Sequence, residues 1–177
     1  MKLERPGNGT IQRETPRELA KRLKLKFNDG LLLSRALTHR SYLNEHPDAL
    51  EDNERLEFLG DAVLDFISAA WLYNRYPEMP EGDLTRMRSS LVHTEALANF
   101  ARSIDLGNAM LLGRGEMNSG GTDRDPLLCD TFEALVGAYY LDSHDIEAVT
   151  NFVVPFFDAV ADEAVQNRKI EDPKGML

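Results

Sequence analysis

The stretch Asn53-Glu54-Arg55-Leu56-Glu57-Phe58-Leu59-Gly60-Asp61-Ala62-Val63-Leu64-Asp65-Phe66-Ile67 decides how this chain reads. Leu56, Leu59, Val63, Phe66, Ile67, Ala70 and Trp71 recur at helical spacing, which predicts one long helix from Asn53 to about Tyr76, ending before Pro77. Each helical residue advances by about 100°, so Glu54, Glu57 and Asp61 fall within an arc of roughly 60°. Leu56, Leu59, Val63, Phe66 and Ile67 lie opposite, toward a core, and Asp65 carries the acidic arc one turn further. Carboxylates stacked one turn apart with no lysine between them repel each other. The stack becomes reasonable if something doubly positive binds it, and oxygen-only ligands suit Mg²⁺ or Mn²⁺.

A second acidic pair, Asp130 and Glu133, sits inside the apolar run Leu127-Leu128-Cys129-Asp130-Thr131-Phe132-Glu133-Ala134-Leu135-Val136. Two acids within a core-like helix are costly unless partnered. If the two helices pack side by side, four or five carboxylates converge, and without a cation their repulsion raises some of their pKa values. Any one of these acids, taken alone, is as well explained by a solvated face. The same pattern on two separate helices favours a cation.

Outward from these segments, the rest also reads as helical. Thr15-Pro16-Arg17-Glu18 has a threonine cap, proline at the first helical position and glutamate three after the cap. The helix it opens is expected to end near Asn28-Asp29-Gly30, and a short one follows from Leu31 to Thr38. Further helices are expected from Pro80 to Val92, His93 to Ile104, Pro126 to Leu141, and Asp145 to Gln166. Leu106 to Arg124 carries five glycines and reads as loop-rich. No segment alternates with period two between turn signals, so the fold class is all-α.

Composition limits the function. The 177 residues are 42% hydrophobic and 28% charged, too apolar for a disordered chain and enough for one core. Cys129 is the single cysteine, which excludes a disulfide framework and a cysteine-built zinc site. The best apolar stretch, Ala62 to Tyr73, is interrupted by Asp65 and too short to span a bilayer, and Met1 to Pro6 has no apolar leader core, so a cytoplasmic protein without membrane partners is expected. The net charge of −10 argues against nucleic acid unless metal ions offset local acidity. Charge is unevenly spread, with residues 13–40 basic and 45–65 acidic.

The run Asn53 to Leu64 resembles the signature of the ribonuclease III endonuclease domain. Leu37-Thr38-His39-Arg40-Ser41-Tyr42, Glu81-Gly82-Asp83-Leu84-Thr85-Arg86-Met87-Arg88, Gly113-Arg114-Gly115-Glu116 with Ser119-Gly120-Gly121, and Phe132-Glu133-Ala134-Leu135-Val136-Gly137-Ala138 resemble family segments in the same order. The resemblance covers roughly residues 15–165. It implies a dimeric helical bundle that cleaves double-stranded RNA with Mg²⁺, for which Mn²⁺ substitutes, and no small-molecule cofactor. The products it implies carry 5′-phosphate and 3′-hydroxyl ends, in RNA processing including that of ribosomal RNA.

Carried over residue by residue, the resemblance assigns Glu57, Asp61, Asp130 and Glu133 as metal-binding acids, with Asp61 and Glu133 central to catalysis. It makes Glu54 a secondary acid and Phe58 an aromatic that enters the partner subunit of a homodimer. RNA contacts are expected from Arg86, Arg88, Arg114, Asn118 and Ser119, with Arg124 a further candidate. Thr38, His39 and Ser41 read as caps or braces, and His93 and His144 as structural. The expected organisation is a flexible arm over 1–14, the catalytic domain over 15–167, and a linker over 168–177 toward a double-stranded-RNA-binding module that the sequence does not contain. RNA affinity of this chain alone is therefore expected to be weak. The rival reading is a catalytically silent RNA-binding or ribosome-associated structural protein of the same fold, which should have lost one or more of these acids. A di-iron carboxylate bundle wants paired Glu-x-x-His motifs, and the sequence has none.

Overall fold

The computed structural model describes residues 13–49 and 51–171. Most of the expected arm (1–12) and the end of the expected linker (172–177) lie outside the described residues. Nine α-helices are described: α1 (Pro16–Leu23), α2 (Gly30–Ala36), α3 (Arg40–Glu45), α4 (Glu54–Arg75), α5 (Glu81–Val92), α6 (Thr94–Ser103), α7 (Arg114–Asn118), α8 (Asp125–Ser143) and α9 (Ile146–Glu171). Single 3₁₀ turns cover Leu106–Ala109 and Gly121–Asp123. The described residues form no strand, only one parallel bridge between Thr38 and Leu111, so the all-α expectation holds. None of the described helices is long and apolar enough to cross a membrane.

Local chemistry sets most boundaries. Thr15 caps α1 by accepting the Glu18 N–H, with Pro16 behind it. The helix ends at Leu23, short of the expected Asn28–Gly30, because Lys24 adopts the left-handed conformation (φ 58°). Helix α3 is not foreshadowed by any apolar period. It is six residues long, capped by His39, whose Nδ1 accepts the Ser41 N–H at 3.1 Å, and the Tyr42 ring stacks on His46 at 3.9 Å. At the far end α9 runs through Pro155 to Glu171, past the expected Gln166.

Helix α8 is the centre of the molecule. Eleven of its residues are buried, Leu127 to Cys129 and Thr131 to Ala138, with α4, α6 and α2 packed around it. Phe132 from α8 meets Phe100 of α6 and Phe152 and Phe156 of α9 in one aromatic cluster, which Trp71 of α4 joins through Phe157 at 5.6 Å. The α4–α8 crossing is tight because it is made on glycine. A Cβ on Gly60 would collide with the Glu133 carbonyl, and one on Gly137 would collide with the Leu56 carbonyl. Asn53, buried just before α4, fixes that helix's start by donating from Nδ2 to the Ala36 carbonyl at 3.0 Å.

Around α4, three faces are distinct. Leu56, Gly60, Val63, Leu64 and Ile67 are buried, and Glu54, Glu57, Asp61 and Asp65 form the acidic arc. Beside that arc runs an exposed apolar row, Phe58 (82% exposed), Phe66 (62%) and Tyr73 (73%). The sequence places Phe66 in the core, and the structure corrects this. Leu64 fills the core at that level, while Phe66 falls between core and acidic arc and points outward.

Candidate active site

The α4–α8 crossing brings the acids together. Backbone contact at Gly60 places Glu57, one turn before it, and Asp61, directly after it, beside the α8 turn that carries Asp130 and Glu133. Glu57 lies within hydrogen-bond reach of Asp130, and Glu133 within reach of Asp61. All four predicted cluster residues therefore converge as two acid–acid pairs spanning the two helices. Glu133 is 7% exposed, the most enclosed of the four.

Their electrostatics follow from that enclosure. Burial, then the charge and shared hydrogen bond of Asp130, then Glu54 and Asp61, push the Glu57 carboxyl up to about 7. Glu133 rises to about 8, through burial first and then the hydrogen bond and charge of Asp61, with the charge of Glu57 adding to it. Asp130 is also raised, by burial and by Glu54, against the lowering influence of its hydrogen bond to Glu57 and of His39. At the edge of the arc, burial and Asp61 raise Asp65, while Arg88 lowers it. A site that holds carboxylic acids near neutral pH is one whose protons a doubly charged cation can replace.

The donor set fits a hard divalent ion: carboxylate oxygens from two rigid helices with no competing lysine. Asp130 and Glu133, with Cys129, also offer ligand atoms lying within 4.8 Å of one another. Glu54 stands at the exposed start of α4, 3.8 Å from Arg40, close enough for its charge to raise both Glu57 and Asp130. Phe58 is on the adjoining face, its ring exposed.

The expected RNA contacts are more scattered. Arg88 faces Asp65 at the rim of the cluster, whereas Arg86 turns back to Asp83 on its own helix. Arg114 and Asn118 on α7, and Ser119 at its C-terminal cap, are exposed. That helix is fastened to α3: Ser41 Oγ accepts the Gly113 N–H at 2.9 Å, and Glu45 accepts the Arg114 N–H at 2.6 Å. Arg124 pairs with Glu116 at 3.4 Å.

Two residues acquire a place at the site that their sequence context did not give them. His39 caps α3 as expected, but it also lies close enough to Asp130 to oppose the rise of that acid, and Ser41 Oγ, 2.7 Å from its Nδ1, connects it to α7. Cys129, in sequence only a small residue beside Asp130, donates its thiol to Glu133 Oε1 at 3.3 Å. The i,i+4 spacing of Cys129 and Glu133 was the available signal, hidden by the apolar run around it.

Comparison with known proteins places these features. A family model described as ribonuclease-III-like matches residues 29–157. Ribonuclease 3 1 of a Nostoc species is 50% identical over 151 residues, covering 85% of this chain and 66% of that protein. Ribonuclease 3 of a Roseiflexus species is 47% identical over 150 residues, covering 83% and 63%. The chain thus spans about two thirds of the length of these curated relatives. The nuclease domain of a Campylobacter jejuni ribonuclease III superposes with TM-score 0.72 at 35% identity, over 80% of this chain and 92% of that one. A second structure of that domain, described for structural flexibility in a region involved in dimer formation, gives TM-score 0.73 at 35% identity, over 80% and 94%.

Proposed function

The chain belongs to the ribonuclease-III-like family, and from that premise we propose that it is a metal-dependent endoribonuclease cutting double-stranded RNA to 5′-phosphate and 3′-hydroxyl ends, acting in RNA processing in the cytoplasm. The observation that carries this reading is the convergence of Glu57, Asp61, Asp130 and Glu133 across the α4–α8 crossing, with none of the four lost. The same observation weighs against a catalytically silent relative.

Hydrolysis adds water across the bond between phosphorus and the 3′-oxygen, leaving the phosphate on the 5′-oxygen of the downstream fragment and a hydroxyl on the upstream one. Mg²⁺, or Mn²⁺ in its place, supplies when bound a water that reacts near neutral pH and neutralises charge on the phosphate and leaving oxygen. Glu57, Asp130, Asp61 and Glu133 would hold the cation through their carboxylate oxygens. Glu133 anchors this set from its buried side, while Asp61, exposed, borders the side open to solvent and RNA. Glu54 adds negative charge from the rim. Arg88, Arg114 and Asn118 of α7, and Ser119 at the cap of α7 contact the duplex through phosphates and 2′-hydroxyls, the groups double-stranded RNA presents to proteins.

The working unit in this reading is a homodimer. Phe58, Phe66 and Tyr73 form an unpartnered apolar row on α4, and a relative in the same family has a region described as involved in dimer formation.

The test is cleavage of a long RNA duplex at low salt, which favours binding by a chain of net charge −10. Cutting that needs Mg²⁺, stops with EDTA and is lost in Glu133→Gln is the expected result. A folded dimer that binds duplex RNA without cutting it, with either Mg²⁺ or Mn²⁺, would replace this reading with the silent one.

A further inference from the structure

Glu133 is the most enclosed acid of the cluster, and a buried carboxylate rotates or swaps partners unless something holds it. Among the described residues, the side-chain donor hydrogen-bonded to it is the Cys129 thiol, 3.3 Å from Oε1 and one turn earlier on α8. Cys129 is itself buried.

We propose that Cys129 is a positioning residue of this site, its thiol hydrogen bond holding the Glu133 carboxylate turned toward Asp61 and the cation between the helices. The proposal rests on the reading of the four acids as a cation centre. The thiol sits one turn before Glu133 on the same helix and acts on the carboxylate as a hydrogen-bond donor from behind. Asp61 and Cys129 thus meet Glu133 from two helices, the acid across the crossing and the thiol from its own helix. Outer partners of this kind orient ligands, and their loss typically weakens metal binding by one or two orders of magnitude.

The experiment measures Mn²⁺ binding to the whole chain, by electron paramagnetic resonance and by calorimetry, in wild type, Cys129→Ala, Cys129→Ser and Cys129→Val. Cys129→Ala and Cys129→Val should weaken binding roughly tenfold, with unchanged circular dichroism and unchanged affinity for duplex RNA. Cys129→Ser, which restores a donor, should recover most of the loss. If Cys129→Ala fails to fold, Cys129→Val supplies the variant that lacks a donor while keeping side-chain bulk. Wild-type affinity in either donor-free variant overturns the proposal, as does equal weakening in Cys129→Ser, which assigns the effect to packing. Glu133→Gln separates the two levels: if it loses Mn²⁺ while Cys129→Ala does not, the cation centre stands and the positioning role falls. No Mn²⁺ binding by wild type overturns both.

Discussion

The backbone of Gly60 lies directly against the carbonyl of Glu133, with no room between them for a Cβ. This contact sets the separation of α4 and α8 at the level of the four acids, so packing and site geometry are one constraint. Gly60→Ala forces the helices apart. Overpacking of this kind costs about 1–3 kcal/mol, which for a domain of this size lowers the melting temperature by several degrees, read by circular dichroism. RNA cleavage should fall further than the folded fraction, because the acid pairs are separated in the molecules that do fold.

The raised acids predict how stability follows pH. Glu57 and Glu133 titrate near 7 and 8 in the folded chain, against an ordinary value of 4.5. The fold holds protons that the unfolded chain releases, so their contribution is complete below about pH 4.5 and is lost as pH rises through 7 and 8. In EDTA the melting temperature should decline between pH 5 and 8 and then level. Added Mg²⁺ should raise it more at pH 8.5 than at pH 5.5, since the cation competes with fewer protons. A Mg²⁺ shift independent of pH would contradict the assignment of these groups.

Phe58, 82% exposed beside Phe66 and Tyr73, predicts an association defect. Burying a Phe side chain is worth about 1.5–3 kcal/mol, and a buried aspartate at the same place adds a desolvation cost. Phe58→Asp should sediment as a monomer at concentrations where wild type is a dimer, with unchanged helicity. An intact dimer would remove Phe58 from the interface.

Glu45 reaches across to α7, where its carboxylate accepts the Arg114 N–H at 2.6 Å. Glu45→Ala frees the segment that carries Arg114, Asn118 and Ser119. Loss of one charged hydrogen bond of about 1.5–3 kcal/mol should weaken duplex RNA affinity by an order of magnitude or more in a filter-binding or anisotropy assay. The Mg²⁺ concentration for half-maximal cleavage should stay unchanged, because Glu45 does not belong to the acid cluster.

What could be read from the sequence divides along physical lines. Helices α4 and α8 were legible because each repeats a pattern over many turns, and their acids stood out against that repeat. Helix α3 was not, since six residues held by a His39 cap and a Tyr42–His46 stack carry no period to detect. The end of α1 was misplaced because a lysine, not a glycine, takes the left-handed turn. Phe66 was misassigned because it lies at the margin between two faces, where angle alone does not decide burial. The influence of His39 on Asp130 joins residues 91 positions apart, and only the fold brings them together.

Helix α4 has no idle circumference. One arc packs on α8, one carries the acids, and one presents Phe58, Phe66 and Tyr73. Each of these three arcs meets a different demand. Its sequence is therefore dense in information, which is why it was the stretch that spoke first.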